Sequence, residues 1–123
     1  VSRGIGAVQR TKPGPDRGGT RFGAYPNDEA AITDALRLAR GMTYKNAVAG
    51  LNLGGGKSII IGDNRTKDRE KIFRKHGRFV ESLGGRYYTA CDVGTYPEDM
   101  DVISQECRYV NGRTVGQGGA GAS

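Results

Sequence analysis

The chain is 123 residues long, one domain's worth, with 36% hydrophobic residues, 21 glycines and a formal net charge of +6. The positive charge raises nucleic acid as a partner. Basic and acidic residues interleave, however, as in Lys67-Asp68-Arg69-Glu70-Lys71, which is the pattern of a solvated surface, so no nucleic-acid partner is expected. No stretch approaches a membrane span or a signal-peptide core, and Cys91 and Cys107 have neither zinc-site spacing nor the density of a disulfide scaffold. Neither membrane nor metal is expected, and the expected compartment is the cytoplasm. The first residue is Val and the last three are Gly-Ala-Ser, so both ends read as cuts.

In chain order, Gly4 to Thr11 carries short apolar character and reads as a weak strand, broken by Pro13-Gly14-Pro15. A second short strand is expected over Thr20–Ala24. Pro26-Asn27 starts a helix over about 28–40, in which Ile32, Ala35, Leu36 and Ala39 repeat as one buried stripe. After Gly41, Met42 to Asn46 add a further helical turn or two. Ile59-Ile60-Ile61 is a β-branched, buried strand closed by Gly62-Asp63. A second helix runs from Thr66, with Ile72, Phe73, His76, Phe79, Val80 and Leu83 on one face, and Gly84-Gly85 ends it. Arg86–Ala90 is a short strand and Cys91 to Gly94 the loop beyond it. Thr95-Tyr96-Pro97-Glu98 fits a capping box that opens a helix to about Cys107. Strands alternating with helices make this an α/β chain with an open, mostly parallel or mixed sheet and flanking helices.

Two glycine motifs invite nucleotide readings, and both fail on context. Gly54-Gly55-Gly56-Lys57-Ser58 has Leu51 where a phosphate loop needs glycine, and it leads into a strand instead of a helix. Gly116-Gln117-Gly118-Gly119-Ala120-Gly121 is formally GxGxxG, but no strand precedes it and the sequence stops two residues later, so it reads as linker. Three charged residues remain. Lys57 sits on a glycine loop, where missing side chains let a small substrate approach, and Lys45 lies beside Met42 and Tyr44. Asp92 sits at the carboxyl end of a strand, where α/β proteins place ligands. Taken singly, each lysine reads first as a solvated side chain, and Asp92 is equally a turn residue. His76, the only histidine, lies on the apolar face of its helix without ligand-spaced partners and reads as a satisfied core histidine.

Together, Met42-Thr43-Tyr44-Lys45, Gly54-Gly55-Gly56-Lys57 and Thr89-Ala90-Cys91-Asp92-Val93-Gly94-Thr95 resemble the glutamate/leucine/phenylalanine/valine dehydrogenase family, most of all its leucine, valine and phenylalanine members. The resemblance runs from Gly18 to Gly112, about three-quarters of the chain. It implies a substrate-binding and dimerisation domain over 1–115, followed at 116–123 by a Gly-rich linker toward a Rossmann NAD-binding domain that this chain lacks. The implied activity is reversible, NAD-dependent oxidative deamination of an L-amino acid to a 2-oxo acid and ammonia, carried out by a homo-oligomer. By the same resemblance Lys57 and Asp92 are catalytic, acting on the attacking water and on the substrate amino group. Lys45 binds the α-carboxylate, and Gly18, Gly19, Met42 and Ala90 line the pocket. No cofactor-binding residue is expected in this chain, so turnover by the chain alone is not expected. The alternative is a non-catalytic oligomerisation module of the same fold. Arg17 departs from the family pattern, standing after Asp16 where an apolar residue is usual, and Asn64 departs in a loop.

Overall fold

The computed structural model describes residues 3–8, 15–48 and 54–114. The glycine motif at 116–121, the linker over 116–123 and the breaker at Pro13-Gly14 lie outside the described residues. The elements in order are β1 (Arg3–Val8), β2 (Asp16–Arg17), β3 (Thr20–Gly23), α1 (Asp28–Val48), β4 (Gly54–Ile61), α2 (Arg69–Ser82), β5 (Tyr87–Tyr88) and α3 (Pro97–Ser104). Strand β4 is the hub. It pairs antiparallel with β1, from Arg3↔Ile61 to Val8↔Gly56, and parallel with β2 and β3 along its other side. Strand β2 continues the sheet by pairing parallel with β5. The sheet is therefore mixed, as expected.

Side chains alternate across a strand, so β4 serves two layers. Gly56, Ser58 and Ile60 face α2 and α3, where Phe22, Ile60, Phe73, Val80, Tyr87, Met100, Ile103 and Cys107 form the apolar core. Phe22 and Phe73 meet edge to face with centroids 5.7 Å apart. Gly55, Lys57 and Ile59 face α1. A Cβ on Gly55 would lie 1.8 Å from the Ala39 carbonyl oxygen, so the bare glycine lets helix and strand touch backbone to backbone.

That close approach explains three differences from expectation. The glycine triplet is the first part of β4 instead of a loop, which places Lys57 inside the sheet. Helix α1 is continuous through Gly41, although a mid-helix glycine costs about 1 kcal/mol. Thr43 offsets this by accepting the Gly55 amide at 2.8 Å on its hydroxyl. The buried stripe of α1 is Ala31, Ala35 and Ala39, while Ile32 and Leu36 are 43% and 58% exposed. Only alanine is small enough for the gap that glycine leaves.

Helix α1 starts as expected: the Asn27 side chain caps the Ala30 amide at 2.8 Å. Helix α2 begins at Arg69 instead of Thr66, because 63–68 are spent in turns held by Asp63 and Thr66. It ends at Gly84 (φ +64°), as expected. Phe79 leaves the α2 core face and lies over Gly6 of β1, whose added Cβ would be 3.0 Å from its ring. The cap of α3 sits one residue later than expected: the Tyr96 amide donates to the Asp99 carboxylate at 2.9 Å. Thr95 is occupied elsewhere, donating its hydroxyl to the buried Thr20 carbonyl at 2.8 Å. Helix α3 stops at Ser104, short of Cys107. Among the described residues, no helix is long and apolar enough to cross a membrane.

Candidate active site

The α1 side of the sheet collects charge from four separate segments. On β4, Lys57 points to this side between Gly55 and Ile59. On β3, Thr20 and Phe22 are buried on the opposite side, so the residue between them, Arg21, is directed at α1. On α1, Asp34 shares the inward stripe with Ala31 and Ala35. Beyond β5 the strand direction continues through the Thr20↔Cys91 bridge and delivers Asp92 beside β3.

Lys57 Nζ contacts Asp92 Oδ2, and the lysine is only 5% exposed. The other Asp92 oxygen accepts the Val93 amide at 2.6 Å and one Arg21 nitrogen at 3.4 Å. The second terminal nitrogen of Arg21 reaches Asp34 at 3.3 Å. Asp34 also accepts the Tyr25 hydroxyl at 2.6 Å and Arg37 at 2.7 Å. The result is a line of alternating charge from Lys57 through Asp92 and Arg21 to Asp34.

Burial, with added positive charge from Arg21 and Lys45, pushes the Lys57 ammonium down to about 8, although Asp34, and Asp92 by direct contact, pull the other way. The Tyr25 hydrogen bond, then Arg37, holds the Asp34 carboxyl below the usual carboxylate range. The arrangement can therefore exchange a proton near neutrality at Lys57 and keep a carboxylate in direct contact with it.

Lys45 is exposed in the last turn of α1 and near enough to Lys57 to act on its proton. Met42 is half-buried next to Thr43, which bonds β4. Ala90 lends its carbonyl to the Thr20 amide at 2.8 Å. Gly18 and Gly19 have packing reasons of their own. A Cβ on Gly18 would sit 1.6 Å from the Gly56 carbonyl oxygen, and one on Gly19 would sit 2.8 Å from Asp92 Cβ. Asp16 is buried, whereas Arg17 is exposed and stacks on the Tyr88 ring at 5.1 Å from its centroid. Asn64 lies in the loop after β4, as expected, and donates to the Phe22 carbonyl at 3.2 Å.

Behind the site, on the core side of β3 and β4, Thr20, Ser58, His76, Tyr87 and Thr89 form one buried hydrogen-bond network. Thr20 Oγ1 and Ser58 Oγ lie 2.7 Å apart, and His76 Nε2 is 3.2 and 3.1 Å from them. The Tyr87 hydroxyl donates to the Gly18 carbonyl at 2.7 Å. His76 is thus the satisfied core histidine expected, and burial pushes it down to about 4. The network fixes the backbone of Gly18 to Thr20, and so the root of Arg21.

No motif in the sequence marks Arg21, Asp34 or Tyr25. Two signals were available: Arg21 sits at the outward position of an in–out–in strand, and Asp34 falls at helical spacing on the Ala31–Ala35 stripe.

Residues 1–109 match the family model described as Glu/Leu/Phe/Val dehydrogenase, dimerisation domain. The chain is 58% identical over 117 residues to a valine dehydrogenase of Streptomyces albus, covering 95% of this chain and 32% of that protein. It is also 58% identical over 119 residues to a leucine dehydrogenase of Bacillus subtilis, covering 97% and 33%. The crystal structure of L-tryptophan dehydrogenase from Nostoc punctiforme superposes with a TM-score of 0.86 at 49% identity, covering 90% of this chain and 33% of that one. The chain spans about a third of the length of the curated relatives it matches.

Proposed function

Because the chain belongs to the Glu/Leu/Phe/Val dehydrogenase family through its dimerisation domain, we propose that it is the substrate-binding part of an NAD-dependent L-amino-acid dehydrogenase of leucine/valine or phenylalanine type. Such an enzyme deaminates its substrate reversibly to a 2-oxo acid and ammonia. The observation that carries this reading is the buried contact between Lys57 and Asp92, made in a layer also lined by Arg21 and Asp34.

Lys57 is the base in this reading. Burial and neighbouring cations leave it at about 8, loose enough to take a proton from the attacking water and return it. Asp92, in contact with Lys57, takes the proton of the substrate amino group. Lys45 offers a fixed point charge to the α-carboxylate, and Gly18, Gly19, Met42 and Ala90 line the pocket. The nicotinamide, when bound, supplies the hydride chemistry. The described residues do not fit a dinucleotide site, since Gly54–Gly56 continue as strand where a helix N-terminus would be needed. The roles given to this chain therefore stop at protons and charge, and the 123-residue chain alone is expected to form no NADH. The free thiols Cys91 and Cys107 fit a reducing compartment, and a cytoplasmic setting belongs to the same proposal.

The test joins this chain to the part of the Bacillus subtilis leucine dehydrogenase that it does not match. Lys57→Ala or Asp92→Asn is expected to lower kcat by about 10²–10⁴-fold. Unaltered turnover in either variant contradicts the reading.

A non-catalytic association module is the second reading. It is favoured by Ile32 and Leu36, which stand exposed on the outer side of α1. Sedimentation separates the two: a monodisperse monomer at high concentration argues against association, while self-association without any loss on Lys57→Ala supports it.

A further inference from the structure

The acid–base reading gives roles to Lys57 and Asp92 and leaves open what aligns them. We propose that Arg21 is a positioning residue for this pair, with Asp34 as its anchor. Arg21 holds one oxygen of Asp92 so that the other meets Lys57. The proposal rests on the acid–base reading of the pair.

The geometry is that of a bridge. One terminal nitrogen of Arg21 is 3.3 Å from Asp34 on α1 and the other 3.4 Å from Asp92 on the loop after β5. The Nε atom of Arg21 is buried and has no hydrogen-bond partner among the described residues, so the guanidinium is held through its two ends. Its anchor is itself fixed, because Asp34 accepts Tyr25 at 2.6 Å and Arg37 at 2.7 Å. Planar, forked guanidinium can span two carboxylates in this way; a lysine ammonium is a single point and cannot. The turn that carries Asp92 is held independently by Thr95, whose hydroxyl accepts the Asp92 amide at 2.8 Å. Arg21 therefore acts on the carboxylate and not on the fold of the turn.

A second consequence follows from charge. The charged groups facing Lys57 are Arg21 from β3, Asp34 and Lys45 from α1, and Asp92 from the loop after β5. Arg21 and Lys45 favour loss of the lysine proton, whereas Asp34, and Asp92 by direct contact, oppose it. Removing Arg21 and removing the charge of Asp34 must then move Lys57 in opposite directions. Both changes release the bridge. The opposition reports the charges, and Arg21→Lys, which keeps the charge and loses the span, reports the alignment.

The experiment uses isotope-labelled lysine in the 123-residue chain, with the Lys57 side chain titrated by NMR. In Arg21→Met the midpoint is expected to rise by more than about half a pH unit, and in Asp34→Asn to fall. Arg21→Lys keeps the charge, so its midpoint stays near that of the parent. In the joined enzyme the same Arg21→Lys change loses about tenfold or more in kcat, because the span is gone. A variant that unfolds is recognised because all its lysines titrate together near about 10.4. An unmoved midpoint in Arg21→Met, or parental kcat in Arg21→Lys, overturns the proposal. Turnover that survives Lys57→Ala while Arg21→Met still moves the midpoint overturns the acid–base reading instead, and leaves the Arg21 contact standing.

Discussion

Gly55→Ala is the smallest change that tests how α1 is seated on the sheet. The added methyl would lie 1.8 Å from the Ala39 carbonyl oxygen, 2.6 Å from the Thr43 amide nitrogen and 2.8 Å from the Thr43 hydroxyl. Two of these are backbone atoms, so no rotamer change relieves them. Reaching an ordinary contact of 3.4 Å requires α1 to back away by about 1.6 Å. That movement strains the hydrogen bond from the Gly55 amide to Thr43, worth about 1 kcal/mol, and adds overpacking of about 1–3 kcal/mol. A loss of about 2–4 kcal/mol is expected, set against a slight gain from replacing glycine in a strand. Urea denaturation followed by circular dichroism measures it. Because Asp34 and Lys45 ride on α1, the Lys57 midpoint should also move. A loss below about 0.5 kcal/mol would refute the claim that bare glycine backbone sets the helix–sheet distance.

Other outcomes follow from the buried polar network. Burial holds His76 at about 4, below its ordinary value of 6.5. Below pH 6.5 the unfolded chain binds a proton that the folded histidine refuses until about 4, so stability falls with pH across that window and then levels. The integrated loss is about 3 kcal/mol, and His76→Gln should remove that part of the slope in urea titrations; an unchanged slope contradicts it. Tyr87→Phe removes the donor to the Gly18 carbonyl at 2.7 Å and leaves buried Ser58 and Thr89 hydroxyls short of a partner. A loss of about 1–3 kcal/mol is expected in the same assay, and a change within about 0.5 kcal/mol would show that the network is not cooperative.

Part of this molecule is legible in the sequence. The Ile59–Ile61 run, the Phe73–His76–Val80 face and the Gly84 stop each depend on local chemistry, and each reads correctly. The α1 stripe does not, because hydrophobicity favours Ile32 and Leu36 where the glycine strand opposite admits only Ala31, Ala35 and Ala39. The cap of α3 shifts for a similar reason: Thr95 is claimed by Thr20, a partner far away in sequence. For the proposed site, motif resemblance points to Lys57 and Asp92, which the fold brings into contact. Arg21 and Asp34 needed the parallel pairing of β3 with β4 and the packing of α1, since nothing local marks residues 21, 34, 57 and 92 as neighbours.

The most direct test of the central claim, that Lys57 is the base paired with Asp92, is the pH dependence of kcat/KM in the joined enzyme with L-leucine and L-valine. Loss of the Lys57 proton creates the active form, so kcat/KM is predicted to rise as the pH passes through about 8, and Lys57→Ala should abolish that limb. A profile without a limb near that value, or one that Lys57→Ala leaves in place, would contradict the account.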